Sequence, residues 1–157
     1  MRNMLITIGM KTGILLLCIL LPGCYSDYLS KSRFYYNRQL IVQEADSFSY
    51  FNRIETREEN FLSLRFTNFY GKDTLLRFDG ADNVNFGIDV SFHHLHGRFV
   101  LYLVDPDDNI ITLIEEDGER TYTFRMRSGP YRLVSAGIEA SGTISIITER
   151  QEESAWE

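Results

Sequence analysis

The sequence predicts an all-β chain: an antiparallel β-sandwich, jelly-roll or immunoglobulin-like, of about eight to nine short strands. Three observations carry this. Apolar residues alternate with polar ones at period two over most of the chain after Ser47, the mark of half-buried strands. Turn residues interrupt the pattern at intervals of roughly ten residues, which suits a sandwich or barrel. No amphipathic helical period is evident beyond the N-terminal segment. The chain has 157 residues, so one domain is expected. Its 44% hydrophobic and 13% aromatic content is enough for a core.

The strands follow in order. Ser47 to Glu55 is a first strand around Phe48, Tyr50 and Ile54. Phe61 to Phe69 places Leu62, Leu64 and Phe66 on one face, and Gly71-Lys72-Asp73 reads as a turn. Thr74 to Phe78 continues to a second turn at Asp79–Asn83. Val84, Phe86, Ile88, Val90 and Phe92 then alternate strictly, the clearest strand in the chain. Arg98 to Val104 is almost continuously apolar, so both of its faces should be covered. Asp105-Pro106-Asp107-Asp108-Asn109 is a turn. Strands are expected at Ile110–Ile114, around Tyr122–Met126, at Tyr131–Ser135 and at Thr143–Thr148.

Charge and cysteine content narrow the function classes. The net charge of −6 argues against a nucleic-acid partner, which calls for a basic stripe. The two cysteines, Cys18 and Cys24, are too few for a disulfide scaffold. Arg2 and Lys11 precede an uncharged run of 15 residues, Thr12 to Ser26. That is short for a spanning helix, which takes about 20 residues, and right for the hydrophobic part of a signal-peptide helix.

The run ends Leu21-Pro22-Gly23-Cys24. This resembles the lipobox of bacterial lipoproteins: an aliphatic residue, a variable one, a small one, then Cys. The resemblance implies a diacylglyceryl group on the Cys24 thiol and cleavage after Gly23. It places the mature protein outside the cytoplasm, held to the cell membrane by lipid. Outer-membrane transport is open to it in a two-membrane source, because Tyr25 rather than Asp follows the Cys. Cleavage would remove two basic residues and no acidic one. It would leave 134 residues, with 14 basic against 22 acidic and a net charge of −8. No free thiol would remain for a Cys nucleophile or a thiolate metal site. The expected organisation is a signal peptide at 1–23 and a lipidated, aromatic-containing tether at 24–45. A β-sandwich at 46–148 and a charged tail at 149–157 complete it. The tether carries Tyr25, Tyr28, Phe34, Tyr35 and Tyr36, and packing onto the domain is favoured over a place among lipid headgroups.

A second resemblance lies at Gly97 to Ile146. Val104-Asp105-Pro106-Asp107, then Gly129, Tyr131 and Leu133, then Ala140, Gly142, Ile144 and Ile146, are similar to a pattern in small β-sandwich lipoproteins of Gram-positive bacteria. It implies fold and location, not an activity.

No catalytic constellation or cofactor is expected. Asp105, Asp107 and Asn109 have EF-hand spacing, with Glu116 at the twelfth position, but Ile110 stands where Gly is needed and the flanks are strands. A hydrogen-bonded turn is the favoured reading. His94 and His96 would share a strand face as two metal ligands, with Asp89 or Asp105 as a third; a polar turn near His93 is favoured instead. Ser91 and Ser135 lack a nucleophile elbow, and Glu115 and Glu116 read as solvated surface rather than an acid–base pair. Tyr70, Tyr102, Tyr122 and Tyr131 are the candidate platforms for a glycan. The expected function is therefore a non-catalytic binding domain, with an envelope protein or a carbohydrate as its partner; a metal-dependent envelope protein or enzyme is the further alternative.

Overall fold

The computed structural model describes residues 23–151, with side chains from Leu29 to Arg150. The signal-peptide residues ahead of Gly23, the Cys24 side chain and the end of the charged tail with Trp156 lie outside the described residues. The chain divides into two units, Met1–Ser30 and Lys31–Glu157. A helix, α1 (Gly23–Tyr36), precedes a short 3-10 turn at Arg38–Leu40. Seven strands follow: β1 (Ser47–Ser49), β2 (Asn52–Arg57), β3 (Phe61–Gly80), β4 (Asn85–Val104), β5 (Ile110–Ile114), β6 (Gly118–Arg125) and β7 (Gly129–Gln151). The helix was not expected from the sequence, because its apolar residues do not gather on one face. Arg33 in the last turn suits the helix dipole. The Asn37 side chain then accepts the Gln39 N–H at 3.0 Å and caps the 3-10 turn.

The β-sandwich is present, built by a route the turn signals concealed. All strand pairs are antiparallel, in the order β1-β3-β7-β4-β5, with β2 also on β3 and β6 also on β4. β3, β4 and β7 have 20, 20 and 23 residues, and each bends at its middle. The bends fall side by side. β3 shifts register between Phe66 and Phe69, where Asn68 has φ 52°. β4 shifts between His94 and Arg98, where Gly97 has φ 79°, and β7 turns at Glu139 with φ 53°. A side chain at Gly97 would also overlap the Glu139 carbonyl. Each bend is a bulge that lets a strand pass from one sheet to the other. The first half-sheet therefore runs β2-β3-β7-β4-β6, and the second β1-β3-β7-β4-β5.

Folding the halves together buries the inward faces as one core, which includes Leu62, Leu64, Phe66, Ile88, Val90, Leu101, Leu103, Leu133, Ile144 and Ile146. Phe66 of the first half stacks on Phe99 of the second at 5.1 Å, and Phe92 meets the same ring at 4.6 Å. The turn expected at Gly71–Asp73 is instead continuous strand. So are the polar turn expected near His93, which lies inside β4, and the gap expected between Tyr131–Ser135 and Thr143–Thr148, which leaves seven strands rather than eight or nine. The first expected strand, Ser47–Glu55, is two strands that serve different half-sheets. The last strand reaches Gln151, through pairs such as Gly87 with Glu149, rather than ending at Thr148.

Residues 99–104 are covered on both faces, as their continuous apolar run required, while Arg98 is exposed. Val100, Tyr102 and Val104 point outward from the second half-sheet and pack with Val134, Ala136 and Ile41, flanked by Tyr35 and Val42. Residues 31–46 thus form a strap over this outer face, and packing rather than a free tether is what the structure has. Two buried cations hold the strap. The Lys72 ammonium donates to the carbonyls of Ile41 and Gln43. Arg132 donates to the carbonyls of Val42 at 2.8 Å and Gln43 at 3.3 Å. Tyr35 reaches Glu115, and Arg38 reaches Thr112. Lys72→Met should leave strap carbonyls unpaired and cost about 1–3 kcal/mol, read as a lower urea midpoint with faster proteolysis within 38–46. An unchanged midpoint and unchanged cleavage would show that the cation does not hold the strap.

Candidate functional site

A cleft of about 460 Å³ opens between the two half-sheets at the end away from the shared bend. That volume suits a small-molecule or oligomer site. The β2–β3 turn supplies Glu58, Glu59 and Asn60, and Phe61 begins β3 beside them. The far end of β3 supplies Leu76, Arg77 and Phe78; β4 supplies Phe86; β7 supplies Thr148, Glu149 and Arg150. The floor is aromatic. Phe78 stacks on Phe86 at 4.7 Å and on Tyr131 at 5.8 Å. Arg150 donates to the Asp79 carbonyl at 3.0 Å and so ties the half-sheets across the cleft. The rim carries exposed carboxylates at Glu58, Glu59 and Glu149. An apolar floor with hydrogen-bonding groups around it can hold a ligand, and no nucleophile with an adjacent base lines it.

A second polar group closes one side of the sandwich. Asp73, on the inward face of β3, accepts from the Tyr50 hydroxyl and from Arg53, each at 2.8 Å. Burial raises the Asp73 carboxyl above its ordinary value, against the lowering effect of Tyr50 and Arg53. Arg57 crosses from β2 to the Leu75 carbonyl at 2.9 Å, and Glu55 sits between Arg53 and Arg57. These groups join edge strand β2 to the opposite half-sheet.

The sequence-based candidates fall elsewhere. The strand bulges just after His94, and its Nε2 lies 3.0 Å from the Gly97 carbonyl. His96 is two residues on, across the register shift, so the shared face expected for the two ligands is broken. Among the described residues no three His, Cys, Asp or Glu side chains are placed to hold a metal ion. Asp105 closes its own turn. Its Oδ1 accepts the N–H groups of Asp107 and Asn109, both at 2.9 Å, and its Oδ2 accepts the Asn109 amide at 2.8 Å. Arg127 pairs with Asp107 at 2.5 Å. Glu115 accepts from Tyr35, and Ser135 is buried with its hydroxyl on the Asp73 carbonyl. Of the proposed tyrosine platforms, Tyr102 and Tyr131 are buried. Tyr122 donates to the Leu113 carbonyl and Tyr70 to Glu139. Tyr102 and Tyr131 therefore offer no open ring, while Tyr70 and Tyr122 are half-buried. The cleft rings Phe61, Phe78 and Phe86 were not singled out in the sequence, because they read there as ordinary strand residues.

No protein-family model matches the sequence, and no curated protein matches it. Solved structures with some similarity include a family 29 carbohydrate-binding module mutant complexed with cellulohexaose, at 10% identity and a TM-score of 0.35. The match covers 68% of this chain and 79% of that one. The module TmCBM61 in complex with β-1,4-galactotriose is 11% identical, with a TM-score of 0.34 over 69% of this chain and 84% of that one. An accessory secretory protein structure from Streptococcus pneumoniae is 13% identical, with a TM-score of 0.30 over 67% and 95%. Similarity at this level decides nothing about the ligand of this chain.

The Asp105 turn has a pH signature. Burial acts to raise the Asp105 pKa, but the Asn109 amide, the two backbone N–H groups and Arg127 outweigh it and lower it. A lowered folded-state pKa contributes stability above the unfolded value of about 3.9, lost as pH falls through the folded pKa. Asp105→Ala should therefore cost about 1–3 kcal/mol at pH 7, with the difference from the parent narrowing below pH 4. Denaturation curves between pH 2 and 7 check this, and a difference independent of pH would refute the assignment.

Proposed function

We propose that the chain is a lipid-anchored, extracytoplasmic protein whose β-sandwich binds its ligand without transforming it. The anchoring part rests on the Leu21-Pro22-Gly23-Cys24 lipobox behind a 15-residue uncharged run. Among the described residues no helix is long and apolar enough to cross a membrane. The chain is net acidic, so anionic lipid does not attract it overall, and the acyl chains on Cys24 would carry the attachment. The binding part rests on a single observation: the aromatic-floored, carboxylate-rimmed cleft between the half-sheets.

The second reading names the ligand as an envelope glycan. Phe61 beside Glu58, Glu59 and Asn60 sets an apolar ring among groups that suit sugar hydroxyls. A protein ligand is the competing class.

Cys24→Ala should leave a slower-migrating precursor that takes up no labelled fatty acid, and globomycin treatment of the parent should leave an uncleaved precursor that still carries the label. Normal processing and labelling in Cys24→Ala would end the anchoring proposal. For the cleft, the parent should be retained on peptidoglycan or on a glycan array. Glu58→Ala/Glu59→Ala/Glu149→Ala should weaken retention about tenfold, the equivalent of about 1.4 kcal/mol. Equal retention by the triple variant would move the site off the cleft, and no retention of the parent would remove the glycan reading.

A further inference from the structure

We infer that the open edge of β2 pairs with the same edge of a second copy of this chain, joining two sandwiches through a two-fold antiparallel ladder. β2 is the outermost strand of the first half-sheet, and its one ladder is with β3. The phase of that ladder shows which backbone groups are free. The Glu58 N–H donates to the Phe61 carbonyl at 2.8 Å. Continuing the same register makes Thr56/Ser63, Ile54/Arg65 and Asn52/Thr67 the hydrogen-bonded pairs. The N–H and C=O groups of Arg53, Glu55 and Arg57 therefore point away from β3, toward the open edge.

The side chains along this edge are self-complementary with Ile54 on the two-fold axis, a register that keeps Asn52 to Thr56 paired within the strand, whereas the other complementary register, centred on Thr56, runs off the strand into the β2–β3 turn. With Ile54 on the two-fold axis, Arg53 stands opposite Glu55 of the second copy and Glu55 opposite Arg53 of the second copy. Asn52 meets Thr56. The Arg53–Glu55 pairs then exchange four main-chain hydrogen bonds, using the groups that β3 leaves free. Both neighbouring registers of the same phase place like charges opposite each other: Glu55 on Glu55 with Arg53 on Arg57, or Arg53 on Arg53. Directly opposed like charges destabilise a ladder, and unlike ones support it. Charges on an edge strand can also serve to discourage pairing. Here the pattern discourages the flanking registers and leaves the central one favourable.

Apolar exposure points the same way. Ile54 is 55% exposed on a strand bordered by charge, and Phe51, in the bend just before that strand, is 86% exposed. In the two-fold ladder each Ile54 would cover the Ile54 of the other copy. Each Arg53 would keep its own Asp73, so four guanidinium groups would meet four carboxylates across the joint. An isologous contact of this kind closes at two copies and does not propagate.

The test is oxidative cross-linking of the full chain, with sedimentation as a second readout. Ile54 would face itself in a non-hydrogen-bonded pair, with Cα atoms about 4.5 Å apart, within disulfide reach. Ile54→Cys should form a dimer under mild oxidation beyond any background in the parent. Asn52→Cys and Thr56→Cys should cross-link when the two proteins are mixed, and neither should do so alone. Glu55→Pro removes a free-edge N–H that β3 does not use, so the fold should persist by circular dichroism. Its dimer dissociation constant should rise at least tenfold in sedimentation. A parent that stays monomeric at all accessible concentrations would overturn the proposal. So would cross-linking of Asn52→Cys alone as efficient as that of Ile54→Cys.

Discussion

Three long strands turning the same corner is the constraint on which the rest of the molecule depends. β3, β4 and β7 each leave one half-sheet and enter the other, at neighbouring positions around Asn68, Gly97 and Glu139. Had one of them bent two residues earlier, its side chains would have lost their facing partners in the second half. Because the bends coincide, the Phe66–Phe99–Phe92 contacts can form across the fold. The corner closes one end of the sandwich tightly and leaves the opposite end to open as the cleft.

The outer faces of the two half-sheets are treated differently, and charge accounts for how. The second half-sheet is apolar outside, at Val100, Tyr102, Val104, Val134 and Ala136. Water is kept from it by the strap, whose backbone would otherwise bring unpaired carbonyls into an apolar setting. Lys72 and Arg132 satisfy those carbonyls from the sheet side. Burial lowers the Lys72 pKa, with Asp46 working against that shift. The first half-sheet has an outer face of exposed Asp89, Ser91 and Thr121 with exposed Ile147. It needs no cover.

Much of this was legible in the chain. Strict alternation over Val84–Phe92 specified a strand with one wet face, and the unbroken run at 99–104 specified one with none. The cover for that second face was present in the sequence as an aromatic stretch ill suited to a loose tether. Asp105 with Asn109 read correctly as a turn because a carboxylate four residues before an amide satisfies both locally. What misled was the chemistry shared by turns and bulges. Gly71, Gly97 and Asn68 have positive φ, which a hairpin and a bulge both use, so continuous strands looked like pairs of short ones. The Asp73–Tyr50–Arg53 group was hidden for a different reason. An aspartate after Gly-Lys has every appearance of a solvated turn residue, and only the opposite half-sheet supplies the partners that bury it.

The sequence by itself determined the periods of the strands, which faces must be dry, and the local turn at Asp105, because these follow from side-chain polarity over a few neighbouring residues. The tertiary structure alone decided which glycines and asparagines reverse the chain and which merely bend it. It also decided the cleft, assembled from Glu58–Phe61, Leu76–Phe78, Phe86 and Thr148–Arg150. A positive φ is a local property with two uses, and only the register of neighbouring strands selects between them.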